Sequence, residues 1–141
     1  MVSVSNQTAI IMCDAAADSA DLGSTNPSAT LVFYSGTPPI NVDAALSGNT
    51  VLAQLVMSNP AYGAAVDSNP GATATAAAIA DDLAADATGT CTFARTLDRG
   101  NVPRHQHTVG TSGTEIIVAT TSFVANALIE VQSLTIKMPE S

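Results

Sequence analysis

Apolar and polar positions alternate along most of the chain, and only the first two dozen residues carry a helical period. Asn6 is placed to cap a helix through QTAIIMCDAAADSADL, with Ile10, Ile11, Asp14, Ala15, Asp18 and Leu22 at helical spacing and Gly23 as its stop. Its substantial apolar groups are Ile10, Ile11, Cys13 and Leu22. So thin a stripe predicts an attachment that packs on a sheet or on a neighbouring subunit. Residues 1–22 are therefore expected to form an N-terminal arm or helix, and residues 23–141 the folded β domain.

From residue 24 the period is two. ATLVFYS is a β-branched and aromatic run that GTPP ends. In NTVLAQLVMS, Val51, Ala53, Leu55 and Met57 share one face and Leu52, Gln54, Val56 and Ser58 the other. NPAYGAAVDSNPG predicts a short extended piece over 62–66 between turns. ATATAAAIADDLAADATG predicts a strand over 73–79, then a loop or one helical turn over 81–86.

TCTFARTL sets Cys91, Phe93, Arg95 and Leu97 against Thr90, Thr92, Ala94 and Thr96; DRGN turns the chain and VPRHQHTVG returns it. TSG leads into EIIVAT. NALIEVQSLTIKM reads as a long strand whose apolar phase slips near Gln132 and Ser133, as at a bulge or a change of neighbours. Seven or eight short strands with frequent turns predict an all-β domain, a β-sandwich or jelly roll, behind the N-terminal helix.

The length of 141 residues suits one core. Aromatics are 4% with no Trp, so that core is built from small and aliphatic side chains and offers little for an aromatic-lined pocket. Four Lys and Arg stand against twelve Asp and Glu, and a net charge of −8 disfavours nucleic acid and anionic lipid. Charged residues are only 11%, a polar but charge-poor composition suited to lasting contact with other protein. Asp14 and Asp18 interrupt the first apolar run, which also lacks a basic flank, so neither a secretory signal nor a membrane span is expected. Cys13 and Cys91 could pair or remain thiols; synthesis in a reducing cytoplasm favours two buried thiols.

The chemistry worth testing lies between residues 89 and 120, which hold Arg95, Arg99, Arg104, His105 and His107. On a strand, His105 and His107 share one face and Arg104, Gln106 and Thr108 the other. Two histidines at that spacing make half a zinc site, and no further His or Cys motif completes it. The plainer expectation is a return strand that displays them to solvent or to another subunit. No serine sits in a nucleophile-elbow pattern, and GTSG at 110–113 is a turn. Asp81, Asp82 and Asp86 lack the spacing of a Ca²⁺ loop and predict a solvated acidic loop. Arg95, in phase with Phe93 and Leu97, predicts an ion-pair donor at a sheet edge or a reach across an interface. No catalytic, metal or cofactor residue is therefore assigned.

The phrases LVFYSGTPP, LAQLVMSNPAYGAA, ATGTCTFAR and VGTSGTEIIVATTSFVANALIEVQSLTIKMP, read together, resemble small virion proteins of tailed bacteriophages, the head decoration or cement type. The likeness covers about residues 10 to 139. NVPRHQH is longer and more charged than the hairpin that the family leads one to expect.

The resemblance implies an all-β protein on the outer surface of the mature head, made in the host cytoplasm and bound to the major capsid protein. Symmetry adds a homo-oligomer, a trimer on threefold positions before a dimer. Ile10, Ile11, Arg95, Arg104, His105 and His107 are then the candidate interface residues. The alternatives are a tail or head-tail component, or a host-surface, glycan-binding sandwich, for which Tyr34 and Tyr62 provide a meagre aromatic platform.

Overall fold

The computed structural model describes residues 2–140. A helix, α1, spans Asn6–Asp18, and a 3-10 turn, Ser19–Asp21, follows it. Ten strands come next: β1 Thr30–Tyr34, β2 Val51–Val56, β3 Val66–Asp67, β4 Ala72–Thr75, β5 Gly89–Thr90, β6 Phe93–Leu97, β7 Pro103–Gly110, β8 Ile116–Ile117, β9 Ser122–Phe123 and β10 Ser133–Met138. Eight form one sheet in the order β2-β1-β6-β7-β8-β10-β4-β3, and β5 pairs with β9 separately. The chain is thus mostly β with a short N-terminal helix, as its alternation predicts. Among the described residues no helix is long and apolar enough to cross a membrane.

Every pairing in the large sheet is antiparallel except β7 with β8. Phe33 faces Ala53 while Tyr34 faces Val51, which leaves Leu52 unopposed in a bulge. The extra residue breaks the alternation, and Leu52 is fully buried beside Ala53 instead of lying on the polar face its phase predicts. One core joins the inner faces of β1, β2, β4, β6 and β10, with Phe33 and Phe123 in tilted contact at 5.5 Å. On the opposite face of β1 and β6, Val32, Tyr34 and Phe93 form a smaller cluster in which Tyr34 stacks on Phe93 at 5.0 Å.

The β2 flank of the sheet does not leave its backbone groups to solvent alone. Beside β2, Val56 O accepts from Ala80 N and Leu52 O from Asp86 N, while the Asp82 carboxylate accepts Gln54 N at 3.0 Å. Asp82 also pairs with Ile129, and Ala85 with Ala127, so 82–85 forms an extra strap held between β2 and 126–129. No helical turn forms over 81–86. Toward β3, Ala65 N donates to Asp14 and Ala61 N to Asp21, two carboxylates carried by the N-terminal segment. Capping of this kind suppresses edge-to-edge pairing, and it gives several of the acidic residues a partner without any cation.

The helix corrects two expectations. Its cap is Ser5, whose hydroxyl accepts Thr8 N, and Asn6 is the first helical residue, bonded to Asp67 at 2.8 Å. Its buried face is Ala9, Cys13 and Ala17, continued by Ala20 in the 3-10 turn, and all four belong to the main core. Residues 1–22 are therefore not an arm set apart from the β domain. Alanines add little to an apolar stripe by size, but their short side chains let a helix backbone lie close on β4 and β10. Beyond the helix, Gly23 has φ +90°, and a Cβ there would lie 2.5 Å from Gly100 N. Only glycine lets residues 22–26 seat on the β6–β7 turn, where Arg99 N donates to Leu22 O and Asn26 N to Arg99 O.

Candidate functional site

The β6–β7 hairpin carries the candidate cations, and its register decides where they point. Thr96 pairs with His105 and Ala94 with His107, but Leu97 pairs with Pro103, so Arg104 is an extra, bulged residue. Ala94 and Thr96 line the core face of β6, and the register brings both histidines to that same face. His107 is buried, and His105 is half-buried beneath the end of α1. The expected display of these rings to solvent or to another subunit is thereby overturned for His107. Strand alternation sets which residues share a face; it does not say which face is covered.

His107 is held at both nitrogens. Nε2 lies 2.8 Å from Thr96 Oγ1, and Nδ1 lies 3.2 Å from Glu115 Oε2. A carboxylate can only accept, so the Nδ1–H donates to Glu115 and Nε2 accepts the Thr96 hydroxyl. Glu115 reaches this position through the two-residue parallel pairing of β7 with β8 and through its bonds with Thr108 N and Thr108 Oγ1. Burial acts to raise its carboxyl, but the bonds from His107 and Thr108 outweigh this and hold it below the usual range. Its proton load is set by the cluster.

His105 ties the sheet to the helix. Its Nε2–H donates to Ala16 O at 2.8 Å, and Ser19 Oγ, also bonded to Ala16 O, lies 3.3 Å from the same nitrogen. Tyr62 meets the ring edge-on at 5.9 Å, and His107 does so at 5.7 Å. Burial pushes the Tyr62 phenol up to about 12. Burial also lowers the His105 pKa, and the neighbouring His107 lowers it further.

The order Thr96, His107, Glu115 matches that of a hydroxyl nucleophile, a base and an orienting acid. Thr96 is fully buried, however, and a substrate carbonyl has no approach to its oxygen. The open clefts lie elsewhere. One of about 220 Å³ separates residues 75–79 from 131–134, and a smaller one is lined by Val118, Phe123 and Leu128. Among the described residues no group of three His, Cys, Asp or Glu side chains converges as metal ligands. What the cluster does is fix α1, β6, β7 and the approach to β8 against one another.

The arginines are likewise taken up within the fold. Arg95 is buried and meets no carboxylate: Nη2 donates to Ala44 O at 2.8 Å and Asn41 O at 3.2 Å, and Nε to Gln106 Oε1 at 3.0 Å. Gln106 then donates to Pro39 O. Together they clamp the loop 37–47 over the outer face of β1 and β6, so the expected ion pair or interface reach of Arg95 gives way to loop anchoring. Arg104 pairs with buried Asp98 at 2.8 Å, and Arg99 donates to Asn26 O. Burial works to raise the Asp98 carboxyl; bonds from Val102 N, Arg104 and Gly100 N prevail and lower it. Of the remaining candidates, Ile10 is half-buried against the core and Ile11 is 59% exposed.

Sequence reasoning missed Thr96, Glu115, Tyr62 and Asp98. Thr96 and Asp98 had a legible signal. Counting back from the DRGN turn sets Thr96 across from the histidines, and Asp98 opens the turn itself. Cys13 and Cys91 are separate buried thiols. Compared with family models, curated proteins and solved structures, the chain matches none of them.

Proposed function

We propose that this chain is a structural virion protein of the head-decoration type, which binds the outer face of an expanded capsid in many copies and stabilises it. The observation that supports this reading best is a set of exposed aliphatic side chains on backbone that the fold already holds. Ile40, 93% exposed, stands on the loop clamped by Arg95 and Gln106. Leu83, 79% exposed, stands on the strap beside β2, and Leu128 on the segment paired with that strap. Apolar groups presented on ordered backbone lose little conformational freedom on binding protein, which favours permanent contacts.

The charge distribution supports the same reading. With its arginines bonded internally, the chain offers phosphate little to bind, while Ser, Thr, Ala and Asn cover much of the remaining surface. The sandwich architecture is part of the proposal, and its support is a single core that takes in residues from both halves of the eight-stranded sheet. So are the partners, which are the major capsid protein and further copies of this chain, arranged as a trimer before a dimer. Preferential binding to the expanded shell would shift its equilibrium away from the unexpanded form.

Co-sedimentation with expanded heads of the phage that encodes the chain tests the proposal. The wild type is expected to travel with the heads, and Ile40→Asp with Leu83→Asp to remain behind while keeping the wild-type circular dichroism. A wild-type chain that stays at the top of the gradient overturns the reading.

A further inference from the structure

In the cluster between α1 and the sheet, two buried polar atoms have no hydrogen-bond partner, His105 Nδ1 and Tyr62 Oη. Because His105 Nε2–H is committed to Ala16 O, a proton arriving on this ring must go to Nδ1, where no acceptor waits. The His107 ring, 5.7 Å away, disfavours a proton on His105.

The surroundings offer little compensation. Arg104 on β7 adds a cationic neighbour, already paired with Asp98. Glu115 favours a charged ring but already accepts His107 Nδ1–H. From the helical side, the Asp14 and Asp21 carboxylates are bonded to Ala65 N and Ala61 N, and Tyr62 presents an unpartnered phenol.

We propose that His105 is an acid-sensitive latch, which holds α1 and the 3-10 turn on the sheet while its ring is neutral and releases them when the ring takes up a proton. The helix is the element placed to move. Strands β1, β2, β6 and β7 are joined by backbone ladders, whereas α1 is held by side-chain bonds and the packing of alanines. Burial disfavours the charged form of His105 in the closed state. Opening therefore becomes more favourable as pH falls below about 6.5, by about tenfold per pH unit for each proton taken up.

The chain's two cysteines read this directly. Cys13 is on the buried face of α1, and Cys91 lies between β5 and β6, both buried. Labelling with a pyridyl disulfide, which reacts with thiols in acid, is followed from pH 7 to pH 5 and normalised to the urea-unfolded chain. Cys13 is expected to become accessible, its rate rising by about tenfold or more over this range, while Cys91 stays protected. His105→Gln keeps an amide donor toward Ala16 O, cannot titrate, and is expected to flatten the Cys13 profile.

Equal opening of both cysteines, opening of neither, or an unchanged profile in His105→Gln overturns the latch. If that variant does not fold, the ratio of Cys13 to Cys91 labelling in the wild type decides, and a ratio that is constant with pH rejects it.

Discussion

His107 Nε2 and Thr96 Oγ1 lie 2.8 Å apart across the β6–β7 hairpin, both closed off from solvent. Removing the ring leaves the Thr96 hydroxyl without its acceptor, strips the Glu115 carboxylate of a donor and opens a cavity. His107→Ala is therefore expected to lower the unfolding free energy by about 2–4 kcal/mol in a urea titration. An exposed histidine would shift it by no more than about 0.5 kcal/mol, and a result that small would take His107 out of the core.

Arg95 is expected to matter through the loop it anchors. Arg95→Met keeps most of the buried stem but leaves the carbonyls of Asn41 and Ala44 and the Gln106 amide without their donor. A loss of about 1.5–3 kcal/mol is expected, with faster proteolysis within 37–47 than elsewhere. Unchanged cleavage of that loop would show that the guanidinium does not hold it.

Phe93→Ala removes one of the three buried side chains of the outer cluster and its stack on Tyr34. The expected cost is about 3–5 kcal/mol, read from the same urea titration. A cost near 1 kcal/mol would mean that the clamped loop collapses onto the vacated space.

Deleting residues 1–22 should lower the stability of the remaining sheet, because Ala9, Cys13, Ala17 and Ala20 belong to the main core and Asp14 and Asp21 cap the backbone at 61–65. Circular dichroism with a cooperative melt checks this. A truncated chain that melts like the full one would restore the detachable arm.

Stability should depend on pH in ordered steps. The folded state holds the His105 pKa down, so the unfolded chain binds more protons and stability falls as pH drops below about 6.5. The lowered carboxyls of Glu115 and Asp98 contribute stability that is present above their unfolded values of 4.5 and 3.8 and lost below them. On the alkaline side, burial raises the Cys91 thiol and the Tyr62 phenol to about 12. Their contribution is complete below the ordinary values of 9.0 and 10.0 and fades as pH climbs from there toward 12. Urea midpoints from pH 3 to pH 11 should form a dome whose acid shoulder between pH 7 and pH 5 is reduced in His105→Gln.

Much of the β architecture could be read from alternation and turn residues. The slip near Gln132 marks a true change of neighbours: 126–129 pairs with 82–85, and β10 begins at Ser133 against β4 and β8. Three things were hidden for physical reasons. The bulges at Leu52 and Arg104 follow from pairing across the sheet and have no local signal. The helix buries alanines, whose value depends on how closely two backbones approach and not on side-chain size. The covered face of β7 is set by Ala16, Ser19 and Tyr62, all more than forty positions away in sequence, so the histidines looked like surface.

A map of the intact particle tests the proposed role most directly, at a resolution that shows this sheet and its helix. Copies of the fold on the outer surface of the expanded capsid, at repeated symmetry positions and with Ile40 and Leu83 turned toward neighbouring protein, are the expected result. Density for the chain confined to the tail, or a particle that lacks it altogether, would contradict the proposal that it decorates the head.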